Sequence, residues 1–170
     1  VWGIGTKLIT ASPRPALGGV YKMAAIRDKD GKWVPKMKFS DTHEKITNPG
    51  FKTTYRIYDS NGKAAADLIA LADESFDTTK PLTIFHPVET WKKKTFSNYT
   101  LKRLPVQVFD KGRRVYELPD LGSIVKYAEK AKGEFWEEYK RLINPHVYKV
   151  DLSDGLYDLK KELMGGVSTK

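Results

Sequence analysis

The chain has 170 residues, 40% hydrophobic and 12% aromatic, enough to bury a core and to exclude wholesale disorder. Lys and Arg number 30 against 21 Asp and Glu, and the net charge of +9 favours a polyanion such as phosphate or nucleic acid over an acidic partner protein. Cysteine is absent, which excludes a disulfide scaffold and a thiol nucleophile, and no apolar run approaches the roughly 18 residues of a membrane span. The expectation is a soluble, cytoplasmic, globular protein with no membrane partner.

The first residue is Val1, inside the apolar run Val1-Trp2-Gly3-Ile4-Gly5. A buried strand needs paired neighbours, so we expect a fragment whose earlier residues lie outside this sequence. Thr6 to Thr10 leads to the loop Ser12-Pro13-Arg14-Pro15, too rich in proline for helix. Val20 to Ile26 reads as a strand, Asp28-Lys29-Asp30-Gly31 as a turn, and Trp33 to Phe39 as the returning strand. That strand would carry Trp33, Met37 and Phe39 on one face and Lys36 and Lys38 on the other, with Pro35 marking an edge or bulge.

A polar segment from Ser40 to Asn48 ends at Pro49-Gly50. The clearest hairpin follows: Thr53 to Tyr58, the turn Asp59-Ser60-Asn61-Gly62, and a strand through Ala66 to Leu71. Leu82 to Phe85 reads as a short strand. Val106 to Phe109 and Arg114 to Leu118 form a second hairpin about Asp110-Lys111-Gly112. Between them, Glu89 to Arg103 holds Trp91-Lys92-Lys93-Lys94 without a period, and a mobile loop is expected there.

From Leu121 the spacing changes. Leu121, Ile124, Val125, Ala128, Ala131, Phe135, Tyr139 and Leu142 recur at three and four residues, which predicts one amphipathic helix ending by Asn144-Pro145. A shorter helix is expected after Ser153, with Leu156, Leu159 and Leu163 on one face and Gly165-Gly166 as its stop. The expected fold is α+β, a mainly antiparallel sheet with two carboxy-terminal helices. Three parts are expected: 1–17, a last barrel strand with a phosphate-binding turn; 18–119, an antiparallel region; and 120–170, a helical segment.

Gly3-Ile4-Gly5-Thr6 is the most suggestive local feature. Two glycines after a buried strand let successive N–H groups converge on a phosphate, with the Thr6 hydroxyl as a further donor. A tight turn that uses glycine only for its conformation stands beside that reading as the simpler one. Lys22, Lys38 and Lys45 lie on adjacent elements and could build a small basic pocket; solvated surface lysines are the plainer alternative. Ser12, Ser40 and Ser60 lack a nucleophile elbow, and His43, His86 and His146 lie too far apart for a ligand pair. No metal-ligand spacing is present, and Glu137 and Glu138 fall on the expected solvent side.

Taken together, three ordered blocks resemble the carboxy-terminal part of the nicotinate phosphoribosyltransferase family. They are Gly3-Ile4-Gly5-Thr6-Lys7-Leu8, Pro15-Ala16-Leu17-Gly18-Gly19-Val20-Tyr21-Lys22, and Glu44-Lys45-Ile46-Thr47-Asn48-Pro49-Gly50-Phe51-Lys52. Asn144-Pro145-His146, Tyr148, Val150 and Leu152-Ser153 fit the same family's final segment, and the likeness is weakest from Asp73 to Leu104. The resemblance implies an enzyme of NAD synthesis that joins nicotinate to phosphoribosyl pyrophosphate. It forms nicotinate mononucleotide and pyrophosphate, with hydrolysis of ATP, and hence Mg2+, coupled to the step.

It also implies an irregular α/β barrel whose last strand opens this chain. Gly3, Gly5 and Thr6 would then face the 5′-phosphate of the ribose. Lys22, Lys38 and Lys45 match positions near the pyrophosphate or ATP phosphates of a neighbour in a head-to-tail homodimer. Arg14 aligns with a loop position that is basic in the nicotinamide-using relatives. The nicotinate-binding residues and the phosphorylated histidine belong upstream, so the fragment would hold no catalytic residue and would be inactive alone. Two other classes compete with the nicotinate-using and nicotinamide-using enzymes. One is a basic module for single-stranded nucleic acid, favoured by Trp91 and Phe96 beside lysines, although nucleic acid is the lesser expectation; the other is an interaction domain.

Overall fold

The hairpin read from Thr53 to Leu71 is the centre of the fold. The structure, a computed structural model, describes residues 19–42, 45–89 and 91–165. Its elements run β1 (Ala25–Arg27), β2 (Trp33–Pro35), β3 (Lys52–Tyr58), β4 (Ala64–Leu71), β5 (Leu82–Phe85), β6 (Lys93–Phe96) and β7 (Thr100–Arg103). After these come β8 (Phe109–Asp110), β9 (Arg113–Arg114), α1 (Leu121–Gly133), α2 (Glu137–Lys140), β10 (Val150–Leu152) and α3 (Asp154–Gly165). The class is α+β and mainly antiparallel, as the sequence predicts.

Six strands form the main sheet in the order β6-β5-β10-β4-β3-β7. Thr53 pairs with Ala70 and Ile57 with Ala66, so the period-two pattern puts Ala64, Ala66, Leu68 and Ala70 on one buried face. Ile57, Leu68, Leu82, Ile84, Phe96 and Tyr99 complete the core there. β10 enters between β5 and β4 from the carboxy-terminal part of the chain and is parallel to β4.

β6 and β7 are the outermost strands, yet only Ser97–Tyr99 joins them. Four Cα steps span at most about 15 Å, whereas the outer strands of a flat six-stranded sheet lie about 24 Å apart. The sheet must therefore curl back on itself. Asn98 takes the left-handed conformation at φ 54 in this link, and the buried Tyr99 donates its hydroxyl to the Lys80 carbonyl at 3.2 Å. The expected mobile loop over Glu89–Arg103 is overturned, since it supplies both margins of the sheet. Its exposed Lys93 and Lys94 hid the alternation that marks a strand.

The outer face of the sheet carries two covers. α3 packs on β4 and β5, with the Tyr157 ring stacked on Phe85 at 4.5 Å and Leu156 fully buried. Ser153 caps it as expected, its hydroxyl accepting the Leu156 N–H at 3.2 Å. Over β3 and β4 the cover is the α1–α2 junction. The single helix expected from Leu121 to Leu142 breaks after Gly133, because Phe135 and Tyr139 turn edge-on to Tyr148 at 5.0 and 5.2 Å. Leu142, expected on the apolar stripe, is 100% exposed, and α1 buries none of its own residues.

β1 and β2 make a separate two-stranded arm, shorter than the strands expected from Val20 to Ile26 and Trp33 to Phe39. Strand pairing runs to Pro35, opposite Ala25, and one further cross-strand bond follows, the Lys36 N–H donating to the Ala24 carbonyl at 2.8 Å. The arm is fastened to the body by the Gly50 N–H on the same carbonyl, also 2.8 Å, and by Trp33 stacked on Phe51 at 4.3 Å. The hairpin about Lys111-Gly112 is present but has only two residues per strand.

Candidate functional site

Where the arm leaves its strand pairing, a cleft of about 380 Å³ opens between two stretches of chain. Tyr21, Lys22 and Met23 line one side, and Lys36, Met37 and Lys38 the other. The sequence reading put Lys36 and Lys38 on the face opposite Met37. That is corrected here: past Pro35 the chain is no longer a strand, and all three side chains border the same space. Lys36 is thus a cleft residue that strand alternation had hidden.

The lysines are held by backbone contacts. The Lys22 ammonium donates to the Lys45 carbonyl, tying the start of the arm to the segment after it. The Lys45 N–H in turn donates to the Thr42 carbonyl at 2.9 Å. Lys38 offers its carbonyl to the Thr47 N–H at 3.2 Å. Lys45 joins the cluster through its carbonyl, and its side chain is not among the lining groups. Of the other residues expected at a site, Gly3, Gly5, Thr6 and Arg14 lie outside the described residues, as does His43.

The cleft gathers three lysines and, among the described residues that line it, no carboxylate. Lys80, Lys92, Lys102, Lys140 and Lys149 each face a carboxylate within 4.0 Å. Lys22, Lys36 and Lys38 have no such partner among the described residues, and no carboxylate lines their cleft. Clustered ammonium groups without counter-charge raise the local potential and favour an anion. On the other flank of β2 lies a second cleft of about 430 Å³, bordered by Trp33, Pro35, Phe51, Leu71, Leu159 and the carboxylate of Asp73, a poor place for phosphate.

The remaining candidates take structural positions. His86 accepts the Glu89 N–H at 2.9 Å through Nδ1, which shapes the turn before β6. His146 donates its backbone N–H to the Glu138 carbonyl at 2.9 Å beside Tyr139. Phe96, taken as an exposed aromatic in the nucleic-acid reading, is a core residue at 7% exposure. Trp91 is exposed, but its neighbour Lys92 is paired with Glu89. Among the described residues, no three His, Asp or Glu side chains gather as a metal site, and no helix is long and apolar enough to cross a membrane.

Comparison with known proteins adds an independent finding. The sequence model of the nicotinate phosphoribosyltransferase C-terminal domain matches residues 51–160. Nicotinate phosphoribosyltransferase of Bacillus subtilis is 43% identical over 171 residues, covering 100% of this chain and 35% of that protein. The enzyme of the same name from Caenorhabditis elegans is 34% identical, covering 92% of the chain and 27% of its own length. A crystal structure of human nicotinic acid phosphoribosyltransferase superposes with a TM-score of 0.63 at 25% identity, over 68% of this chain and 23% of that one. The chain thus spans about a third or less of the relatives it matches.

Proposed function

Because the chain belongs to the nicotinate phosphoribosyltransferase C-terminal domain family, we propose that it is the carboxy-terminal part of a cytoplasmic nicotinate phosphoribosyltransferase. The complete enzyme forms nicotinate mononucleotide and pyrophosphate from nicotinate and phosphoribosyl pyrophosphate, with ATP hydrolysed in the same cycle. The observation that carries this reading is the 43% identity to the Bacillus subtilis enzyme across the whole chain. The carboxylate-free lysine cleft supports it from the side of chemistry.

As the glycosidic bond of phosphoribosyl pyrophosphate loosens, the departing pyrophosphate gathers negative charge. Ammonium groups already fixed in place stabilise that charge without having to reorganise. In this reading Lys22, held on the Lys45 carbonyl, and Lys38 present such charge to a neighbour's centre in a head-to-tail homodimer, with Lys45 beside them. Gly3, Gly5 and Thr6 take the ribose 5′-phosphate, and Arg14 joins the three lysines as a candidate phosphate contact in trans. The groups that bind nicotinate and the histidine phosphorylated by ATP are supplied by the rest of the enzyme.

The cleft fits the phosphates of these substrates but not the Mg2+ that accompanies ATP. Its walls are cationic or apolar, and among the described residues no carboxylate or histidine cluster could hold the ion. The part assigned to this chain is therefore confined to the anion. A chimera tests the reading: the Bacillus subtilis enzyme with its matching segment replaced by this chain, assayed for nicotinate mononucleotide. Turnover supports the proposal, and a folded chimera without turnover overturns it.

A further inference from the structure

Among the three cleft lysines, Lys36 differs in how it is held. Lys22 and Lys38 are exposed, whereas Lys36 is half-buried, and its N–H is fixed on the Ala24 carbonyl at 2.8 Å where strand pairing ends. That bond fixes the start of the Lys36-Met37-Lys38 stretch against the Tyr21-Lys22-Met23 stretch, so the two walls face each other at a set spacing. Lys36 lines the same space as Lys22 and Lys38, and three lysines gathered there raise the local positive potential. One Lys22 proton is already given to the Lys45 carbonyl, leaving two donors. A diphosphate offers more acceptor oxygens than Lys22 and Lys38 can meet alone.

We propose that Lys36 is a third anion-contacting residue of this cleft, so that Lys22, Lys36 and Lys38 together hold a diphosphate group. The inference rests on the reading of the cleft as a pyrophosphate-facing site and adds a residue that reading did not contain. Lys36 anchors the ligand, and Lys22 and Lys38 close on it from the rim. Met23 and Met37 border the same space beside the lysines.

The chain carries its own reporters. Of its three methionines, Met23 and Met37 border the cleft, while Met164 lies on α3 away from it. The experiment titrates inorganic pyrophosphate into the chain labelled at its methionine methyl groups. The variants are Lys36→Met, which keeps the backbone N–H and the aliphatic stem, Lys36→Arg, Lys22→Met, and Lys29→Met in the Asp28–Gly31 turn as a control. We expect pyrophosphate to shift the Met23 and Met37 signals and leave Met164 still. Lys36→Met should weaken binding about tenfold, the scale of one charge-assisted hydrogen bond, with Lys36→Arg retaining most of it and Lys29→Met all of it.

If Lys22→Met weakens binding but Lys36→Met does not, Lys36 has no part in the site and the two-lysine reading survives. If no variant matters, or if Met164 shifts as much as the cleft methionines, the cleft is not an anion site and both readings fall.

Discussion

Arg56 and Asp67 meet across β3 and β4 as a two-pronged ion pair, Nε to Oδ1 at 2.8 Å and Nη2 to Oδ2 at 3.0 Å. The Tyr148 hydroxyl donates to the same Oδ1 at 3.0 Å, and the guanidinium lies 4.7 Å from the Phe135 ring. This cluster fastens the α1–α2 junction and the approach to β10 onto the outer face of the sheet. The hydrogen bond from Arg56 to Asp67 raises the guanidinium's pKa, so Arg56 stays charged throughout the ordinary pH range. Asp67→Asn leaves a partly buried cation facing a neutral amide and should cost about 2–4 kcal/mol. Urea unfolding measures it, and a loss below that of an ordinary surface substitution would sink the assignment.

Tyr58 gives the pH dependence. Its hydroxyl donates to Glu134 Oε2 at 2.6 Å, and burial, reinforced by that hydrogen bond, pushes its pKa up to about 12 from 10.0. The fold keeps this proton where the unfolded chain releases it, so the stabilisation is complete below pH 10 and is lost as pH climbs towards 12. Tyr148 is raised in the same sense, first by burial and then by the charge of Asp67. Lys52 and Lys160, lowered by burial, act oppositely, since the cost of their buried charge is relieved as pH rises. Comparing the chain with Tyr58→Phe isolates the phenol: the stability gap between them should narrow between about pH 10 and about pH 12. An unchanged gap contradicts the shift.

Gly50 fastens the arm and has no room for a side chain. Its φ is +90, and a Cβ there would lie 2.6 Å from Leu71 Cδ2 and 3.3 Å from Leu159 Cδ2. Gly50→Ala should therefore destabilise by about 2–3 kcal/mol, combining backbone strain with overpacking. Thermal unfolding within a degree of the parent would show that the segment can move aside.

α1 should behave as the loosest regular element. Thirteen residues of helix are marginal without packing, and none of these is buried. Its amides are expected to exchange well before those of β3 and β4. Ile124→Ser should change stability by no more than about 0.5 kcal/mol, against about 2–5 kcal/mol for Leu156→Ala in the core. Protection of α1 equal to that of the sheet would mean that the helix is held by contacts other than these.

Lys22→Ala supplies the catalytic prediction. In the chimera with the Bacillus subtilis enzyme, it should raise the KM for phosphoribosyl pyrophosphate about tenfold while leaving the fold intact, the effect expected from losing a charge-assisted contact. Unchanged kinetics removes Lys22 from the site.

The legible parts of this fold were those where one residue pattern answers to one environment. Thr53, Tyr55 and Ile57 alternate on a strand with one buried face and lead into Asp59-Ser60-Asn61-Gly62, so β3 and β4 could be read directly. Ser153 announced α3. Lys93 and Lys94 belong to a margin strand whose outward residues meet water, and this erases the alternation. β10 was hidden differently, because Asp151 is buried with Lys149 at 3.0 Å in a position a sequence reader expects to be apolar. At the site, Lys22 and Lys38, expected with Lys45 on adjacent elements, border one cleft. Lys36 was missed because strand alternation was carried past Pro35, where the registered pairing ends.

The short stitch from Ser97 to Tyr99 has a consequence for how this protein can meet others. A sheet drawn round so that its first and last strands are neighbours has little selvedge on which a foreign strand could be added, and the outward lysines of β6 repel a cationic newcomer. Backbone zippering, the usual hazard of exposed strand edges, is thereby disfavoured along the margins of the main sheet. The two-stranded arm keeps its own strand edges, and beside them the unburied face of α1 offers side-chain contacts to other copies of the chain. Contacts made by side chains respond to salt and to single substitutions.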